Sequence, residues 1–162
     1  MANFKLVLED DFGEDFSLIA IHCSAEAYKM AYLLNDHMAL RLKRKRVDLD
    51  FSNDGLEVTF PLFHFENTFQ YTQYHLVGNK CVSAMAQTMP TDGLFDTQTQ
   101  RTMVTHLLPE FKNVDFFLKI ESDYEGIPLR MLASGINEIK EVISAYPVST
   151  EQVKSRNHLI FD

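Results

Sequence analysis

The sequence is poor in the residues that build several common kinds of site. It has no tryptophan, two cysteines and six scattered glycines in 162 residues. Cys23 and Cys81 give neither a zinc-binding spacing nor a disulfide framework, so we expect buried free thiols in a reducing compartment. The scattered glycines exclude a glycine-rich phosphate loop. The six histidines include no pair at the helical spacing of metal ligands, and we predict no metal and no cofactor.

Long apolar runs are also missing. No stretch approaches the roughly 18 apolar residues that a membrane helix needs. The few apolar residues at positions 4 and 6–8 give way at once to acidic ones, which is not the pattern of a signal peptide. The 23 acidic and 15 basic residues give a net charge of −8, which disfavours nucleic acid and anionic membranes as partners. We therefore expect a cytoplasmic protein with no membrane association.

Length and composition are those of one ordinary globular domain. Of the 162 residues, 46% are hydrophobic and 23% are charged, close to the averages for folded domains. A chain of this size buries a sizeable core without disulfides or metals. Its thirteen phenylalanines are mainly core material. We predict a single domain over residues 1–162.

The most regular pattern is an alternation over residues 114–121. One face has Val114, Phe116, Leu118 and Ile120, and the other has Asp115, Phe117, Lys119 and Glu121. This is typical of a strand with one buried face. Pro109 predicts a turn just before it, with Glu110 in the first turn of a short helix. Capping explains Glu110 and Asp115 better than an acid–base pair does, so we predict no catalytic residue.

This turn and strand resemble the signature of the bacterial family named for its Ile-Pro-Glu-x-x-x-Val-Asp-Tyr motif (IPExxxVDY), found mainly in Bacteroidetes. The matching residues are Leu108, Pro109, Glu110, Val114, Asp115 and Phe116. Leu108 stands where the family has Ile, and Phe116 stands where it has Tyr and supplies no hydroxyl. The similarity extends to residues 18–22, 31–35 and 154–161. It supplies no catalytic residue, and it leaves open whether the motif is structural or functional.

Two segments have the periodicity of amphipathic helices. The first begins after Ser24, a good N-cap, and its apolar stripe is Ala27, Ala31, Leu34, Met38 and Leu42. The second has Pro128 as its first residue, and its stripe is Leu129, Leu132, Ile136, Ile139 and Ile143. Gly135 within it costs about 1 kcal/mol relative to alanine, unless a close contact with the sheet or another helix requires it.

The first predicted helix ends in a dense basic segment. Its cations are Arg41, Lys43, Arg44, Lys45 and Arg46. Cations at this end of a helix complement the helix dipole, which is a purely structural explanation. The alternative is an anion-binding patch for phosphate or nucleic acid. The acidic balance of the chain favours the structural explanation.

The remaining segments predict strands and one loop. Residues 16–23 are apolar on both faces, as in a central strand. Residues 56–62 alternate and contain Pro61, which indicates an edge or a bulge. The aromatic-rich residues 63–77 predict a hairpin, and residues 83–101 a surface loop. We expect an α+β domain: an antiparallel or mixed sheet of about five strands with two long helices on one face, a ferredoxin-like variant.

The chain closes on three apolar residues that need cover. Leu159, Ile160 and Phe161 dock on the domain itself or insert into a second subunit. The leading hypothesis is a non-enzymatic binding protein that acts as a homodimer and recognises a protein partner through a sheet edge, the loop or this tail. The alternative is nucleic-acid or phosphate binding by residues 41–46. A weaker alternative is an enzyme whose pocket gathers scattered histidines and acids.

Overall fold

The computed structural model describes residues 16–53, 56–85, 101–123 and 127–161, and these form an α+β fold. The α-helices are α1, Ala27–Met38, and α2, Leu129–Asn137. The strands are β1 Phe16–His22, β2 Lys43–Arg44, β3 Leu49–Asn53, β4 Leu56–Phe60, β5 Leu62–Asn67, β6 Thr72–Gly78, β7 Lys80–Met85, β8 Arg101–His106, β9 Phe116–Ser122 and β10 Ser144–Val148. Short 3-10 helices lie at Pro109–Phe111, Thr150–Gln152 and Arg156–Leu159.

Six strands form one sheet in the order β10-β1-β9-β6-β5-β2, and every neighbouring pair is antiparallel. β3 pairs with β4, and β7 with β8, as separate antiparallel hairpins. The predicted α+β class is confirmed, and the sheet has one strand more than expected. Pro61 separates β4 from β5, since it has no N–H to donate to a ladder. At this residue the chain leaves the first hairpin and enters the main sheet.

The sheet is covered on both faces. On one face Ile19 and Leu118 belong to a buried cluster that includes side chains of both helices. On the other face Leu18 and Phe117 pack with β4, the segment 107–114 and the C-terminal tail. Cover on both faces explains why β1 is apolar throughout, as predicted for a central strand.

β9 differs from the prediction of one buried face. Phe117 is fully buried and Lys119 is only 1% exposed, although both were assigned to the face that meets water. The cover on that face comes from segments distant in sequence, which the alternation within β9 does not reveal. Val114 precedes the strand and lies in the cluster on the second face, not with Phe116.

α1 is shorter than predicted. It has 12 residues and ends at Met38, because Ala39 adopts a left-handed conformation with φ 54°. Leu42, the last residue of the predicted stripe, therefore lies outside the helix, although it is buried. Glu26, not Ser24, occupies the N-cap position.

α2 is also shorter than predicted, so the two long helices of the prediction are helices of 12 and 9 residues. Pro128 is at the N-cap position, one residue before the helix. Ile143, which the stripe placed in the core, is 75% exposed. A Cβ added at Gly135 would lie 2.9 Å from the Sδ atom of Met38 in α1. The close contact that this glycine permits is thus with the other helix.

An asparagine near the end of each helix holds the chain that follows. Asn35 donates to the carbonyl of Leu42 (3.1 Å) and accepts its N–H (2.8 Å). Asn137 makes the same pair of bonds with Ala145, at 2.7 Å each. Among the described strands, β2 and β10 lie at the two edges of the sheet. Leu42 precedes β2, and Ala145 lies in β10. These amides occupy backbone groups through which a further strand would pair, and Pro147 in β10 has no N–H.

The segment 83–101 contains less loop than predicted. Ser83 lies in β7 and pairs with Met103 of β8, and Arg101 pairs with Met85. The β-branched residues of this hairpin, such as Val82 and Val104, suit a strand. The remainder of the predicted loop, residues 86–100, lies outside the described residues.

We expect Asn137→Ala to lower the free energy of unfolding by about 1–2 kcal/mol, because it removes two short, partly buried hydrogen bonds. Urea unfolding followed by circular dichroism measures the change. Asn157→Ala, at an exposed residue of the tail, is the matched control and should leave the midpoint unchanged. Equal midpoints for Asn137→Ala and the wild type would contradict the role given to this amide.

Candidate functional site

One buried amide fixes the turn that carries the signature residues. Asn79 follows β6 and has no exposed surface. Its Nδ2 donates to the carbonyls of Phe111 and Val114, both at 2.8 Å, and its Oδ1 accepts the N–H of Leu108 at 2.9 Å. Its own carbonyl accepts the N–H of Leu107 at 2.9 Å. One side chain thus satisfies both ends of the turn, which explains how Leu108 and Val114 remain buried there.

Glu110 lies in the first turn of the predicted short helix, and its carboxylate binds the C-terminal tail. It accepts the N–H groups of Lys154 and Ser155 at 2.9 Å each, and the Ser155 hydroxyl at 3.2 Å. Burial alone would raise the pKa of this carboxyl. The hydrogen bonds from the Ser155, Glu110 and Lys154 N–H groups and from the Ser155 hydroxyl outweigh burial and lower the pKa below 4.5. Glu110 therefore anchors the tail as a carboxylate.

Asp115 ties together three segments of the chain. Its Oδ2 accepts the N–H of Cys23 at the end of β1, and its Oδ1 pairs with the ammonium of Lys80 in β7, both at 2.9 Å. The neighbouring signature residue Phe116 is buried in the cluster on the helix side of the sheet. Since Glu110 and Asp115 each bind backbone N–H groups, both have a structural use in this fold.

The basic segment is not the end of a helix, which corrects the prediction, because α1 has already ended at Met38. The segment instead forms β2 and its flanks. Arg44 binds both carboxylate oxygens of Asp48, at 2.9 and 3.1 Å. Lys45 is half-buried and its N–H donates to the sheet. Exposed side chains in this segment are those of Arg41, Lys43, Arg44 and Arg46.

The tail docks on its own domain around a buried lysine. The ammonium of Lys119 donates to the carbonyl of Leu159 at 2.7 Å and forms an ion pair with Glu121. It also lies 5.1 Å from the ring centroid of Phe161. Leu159 is buried and Phe161 half-buried, whereas Ile160 is 55% exposed. Docking on the domain, one of the two predicted fates of the tail, is observed for Leu159 and Phe161.

His75 faces this lysine from the neighbouring strand. It is opposite Lys119 in the register of β6 and β9, and its ring lies 5.2 Å from that of Phe161. Burial, followed by the charges of His64, Lys119 and Lys45, lowers the pKa of His75 to about 3. The ring is therefore neutral at neutral pH, which allows it to lie beside a buried ammonium.

A cleft of about 470 Å³ opens between the signature turn, the two hairpins and the tail. β3 and β4 contribute Phe51 and Phe60, whose rings meet edge to face at 5.9 Å. The remaining lining residues are Met103, Val104, Thr105, His106, Leu107, Pro109, Lys112 and His158. We call this the hairpin cleft. Its volume is within the range of small-molecule sites.

Three nitrogen-bearing side chains line the hairpin cleft: His106, Lys112 and His158. The Nδ1 atom of His158 lies 2.7 Å from the carbonyl oxygen of Leu107. Because a carbonyl only accepts, Nδ1 carries the proton, and the neutral ring has its lone pair on Nε2. Burial lowers the pKa of His106, and the charges of Lys80 and Lys112 lower it further. A hydrogen bond with the Lys112 backbone raises this pKa but does not offset the other effects. No carboxylate is among the described residues that line the cleft.

Few of the residues that line the hairpin cleft were predicted from the sequence. Of the predicted site residues, Pro109 alone lines it, and the segment 107–112 connects it to the signature. His106 and His158 were considered only as isolated histidines. They are 52 positions apart, in segments with no shared motif, so no spacing signal could have joined them.

A second cavity, of about 310 Å³, lies at the start of α1 and is lined by Cys23, Pro61, Gly78, Lys80 and Asp115 among others. In this cavity the ammonium of Lys80 already pairs with the carboxylate of Asp115. The thiol of Cys23 donates to the carbonyl of Glu141 at 3.3 Å. These groups are occupied within the protein, and we take the hairpin cleft as the candidate site.

We expect Asn79→Ala to lower the free energy of unfolding by about 3 kcal/mol or more, because the Val114 carbonyl and the Leu108 N–H, at the buried ends of the turn, lose their partners and the Phe111 carbonyl loses one of its two. Thermal and urea unfolding measure the loss. The control is Asn113→Ala, at an exposed asparagine of the same turn. If both variants unfold at the same midpoint, the amide of Asn79 does not hold the turn.

We expect the C-terminal tail to be held less firmly at acid pH, because protonation of Glu110 weakens its hydrogen bonds to the tail. Its pKa is lowered in the folded state, so its contribution to stability is complete above about pH 4.5 and is lost as the pH falls through the folded pKa. Hydrogen exchange of the Lys154 and Ser155 amides should accelerate, relative to the intrinsic rate, as the pH falls below 4.5. In Glu110→Gln these amides should be less protected at neutral pH. Protection that is equal in both proteins at pH 7 would refute the anchor.

Among the described residues, no group of three or more His, Cys, Asp or Glu side chains is placed to hold a metal ion. No helix in the described ranges is long and apolar enough to cross a membrane. No protein-family model, no curated protein and no solved structure matches this chain. Its function must therefore be inferred from the geometry of the hairpin cleft.

Proposed function

We propose that this chain is a non-enzymatic binding protein and that the hairpin cleft is its binding site. The observation that carries the proposal is the cleft itself, about 470 Å³ with mainly apolar walls and four polar side chains, those of Thr105, His106, Lys112 and His158. This combination of an apolar body and a few convergent polar groups is typical of sites for small ligands.

The chemistry of the hairpin cleft supports binding over catalysis. Its two histidines have no carboxylate beside them among the described lining residues, and the partner that orients His158 is the backbone carbonyl of Leu107, so neither ring belongs to a histidine–carboxylate pair of the kind found in catalytic triads. The hydroxyl oxygen of Thr105 is buried and has no hydrogen-bond partner, so no adjacent base activates it. Glu110 and Asp115 serve the fold with their hydrogen bonds to backbone N–H groups.

The sheet edges oppose a partner that binds by adding a strand. Asn35 and Asn137 occupy backbone groups beside the two edge strands, and β2 has only two residues. Short, blunted edges are how natural sheets avoid pairing with other chains. Recognition through a cleft is therefore better supported than recognition through a sheet edge.

The homodimer expected from the sequence stays part of the proposal. Tyr28 and Tyr32 on α1 and Ile160 in the tail are exposed and offer apolar surface to a second copy. A measurement of the native mass counts the chains directly.

Binding of phosphate or nucleic acid by the basic segment is the second candidate. Arg41, Lys43 and Arg46 are exposed on the outer edge of the sheet, which favours it. Arg44 is engaged by Asp48, and the chain has a net charge of −8, both of which weaken it. This candidate requires binding that falls steeply with salt.

We also propose that the fold is a variant of the ferredoxin-like plan. Its support is the order β10-β1-β9-β6, with α1 after β1 and α2 between β9 and β10. The segment β2–β5 and the hairpin β7–β8 would then be insertions into that plan. This analogy concerns the fold and carries no function.

Native mass spectrometry of the protein purified gently from its own cells tests the binding function. We expect a fraction of the chains to carry the added mass of a small ligand. Met103→Trp places a larger side chain in the hairpin cleft and should reduce the bound fraction, with an affinity loss of about tenfold or more.

The control is Met131→Trp, the same substitution at an exposed position on α2, across the sheet from the hairpin cleft. It should keep the added mass. An added mass that survives Met103→Trp would place the ligand elsewhere. A bare dimer with no added mass would instead favour a protein partner.

A further inference from the structure

We propose that the ligand of the hairpin cleft is a small carboxylic acid with a flat apolar body. This inference rests on the proposed binding function and names the chemical class that the site recognises.

The walls of the hairpin cleft select a flat apolar body. The rings of Phe51 and Phe60 contribute one wall, and the side chains of Met103, Leu107 and Pro109 are apolar as well. The ring of Phe51 also lies 4.9 Å from that of His158, so an aromatic surface reaches from β3 to the tail. Aromatic faces bind flat ligands by stacking and edge contacts in addition to area burial.

The polar groups of the hairpin cleft select an anion. Lys112 is a permanent cation, and His106 and His158 both acquire positive charge when protonated. The described lining has no carboxylate, although acidic residues outnumber basic ones by 23 to 15 in the whole chain. With both histidines neutral, Lys112 alone matches the single charge of a carboxylate, whereas a dianion needs a second positive charge from one of the rings.

The hydrogen bond of His158 fixes which of its ring nitrogens is available to a ligand. Its Nδ1–H is held by the Leu107 carbonyl, so Nε2 is the nitrogen left to contact an acid group. The other ring, that of His106, has its pKa lowered by burial and by the charges of Lys80 and Lys112, and β3 and β4 face it with Phe51 and Phe60. A bound carboxylate opposes these effects and favours the protonated ring of His106. Affinity should therefore rise as the pH falls toward the pKa of His106, by up to about tenfold per pH unit for the one proton taken up.

The test uses 2-naphthoate, its neutral analogue 2-naphthamide and 2-naphthyl phosphate as probes. Each is titrated into the full chain and followed by calorimetry and by NMR shifts of the residues that line the hairpin cleft. We expect 2-naphthoate to bind with a millimolar or better Kd, to shift these residues, and to bind at least about tenfold more tightly than the amide.

Two lysine variants test whether Lys112 is the cation that binds the carboxylate of 2-naphthoate. Lys112→Met should weaken 2-naphthoate about tenfold, because it removes the permanent charge from the hairpin cleft. Lys140→Met, at an exposed lysine between α2 and β10, is the matched control and should have no effect. Both lysines are exposed, so neither substitution removes a buried contact.

The outcomes separate the class of ligand from the binding function. Equal affinity for acid and amide, tighter binding of the phosphate, or no shift of the lining residues with 2-naphthoate would each overturn the carboxylate assignment. The binding function would survive these results if Met103→Trp still removed the added mass from the purified protein. The proposed binding function fails only if the purified protein carries no added ligand mass, or if Met103→Trp leaves that mass unchanged.

Discussion

The buried amide of Asn79 is the constraint on which the hairpin cleft depends. An amide removed from water costs several kcal/mol, roughly 2–7, unless its hydrogen bonds are replaced. Here three hydrogen bonds to backbone groups of the turn at residues 107–114 replace those to water. Because these bonds require the backbone groups to lie at fixed positions around Asn79, they select one conformation of the turn. The same path brings Pro109 to the cleft and directs Glu110 to the tail, which contributes His158.

A second buried polar group makes the tail part of the fold. Lys119 lies in a central strand, and its ammonium is bound by the Leu159 carbonyl and by Glu121, with the rings of Phe16 and Phe161 at 5.2 and 5.1 Å. A buried charge that loses partners is strongly destabilising, so the domain requires the tail in place. Glu110 and Lys119 hold the tail from either side of His158, and the position of this ring in the hairpin cleft follows from both contacts.

Apolar patterns in the sequence predicted much of the fold, whereas polar residues inside it went unnoticed. The apolar run of β1, the short helix at Pro109 and the helices on one face followed from periodicity and turn chemistry. Periodicity assigned Lys119 to water, because a period of two separates the faces of a strand without showing which faces are covered. No pattern in the sequence marked Asn79 as a buried residue. Helix ends were also missed, since the left-handed Ala39 has no signature in its sequence. The hairpin cleft joins segments from residue 51 to residue 158, so only the folded chain brings them together.

The most direct test is a crystal structure of the protein isolated without harsh washing from its own cells. We expect electron density for a small ligand between Phe51, Phe60 and His158, with its acidic end toward Lys112. Density for an anion on Arg41, Lys43 and Arg46, with none in the hairpin cleft, would contradict the binding site proposed here and favour the basic segment.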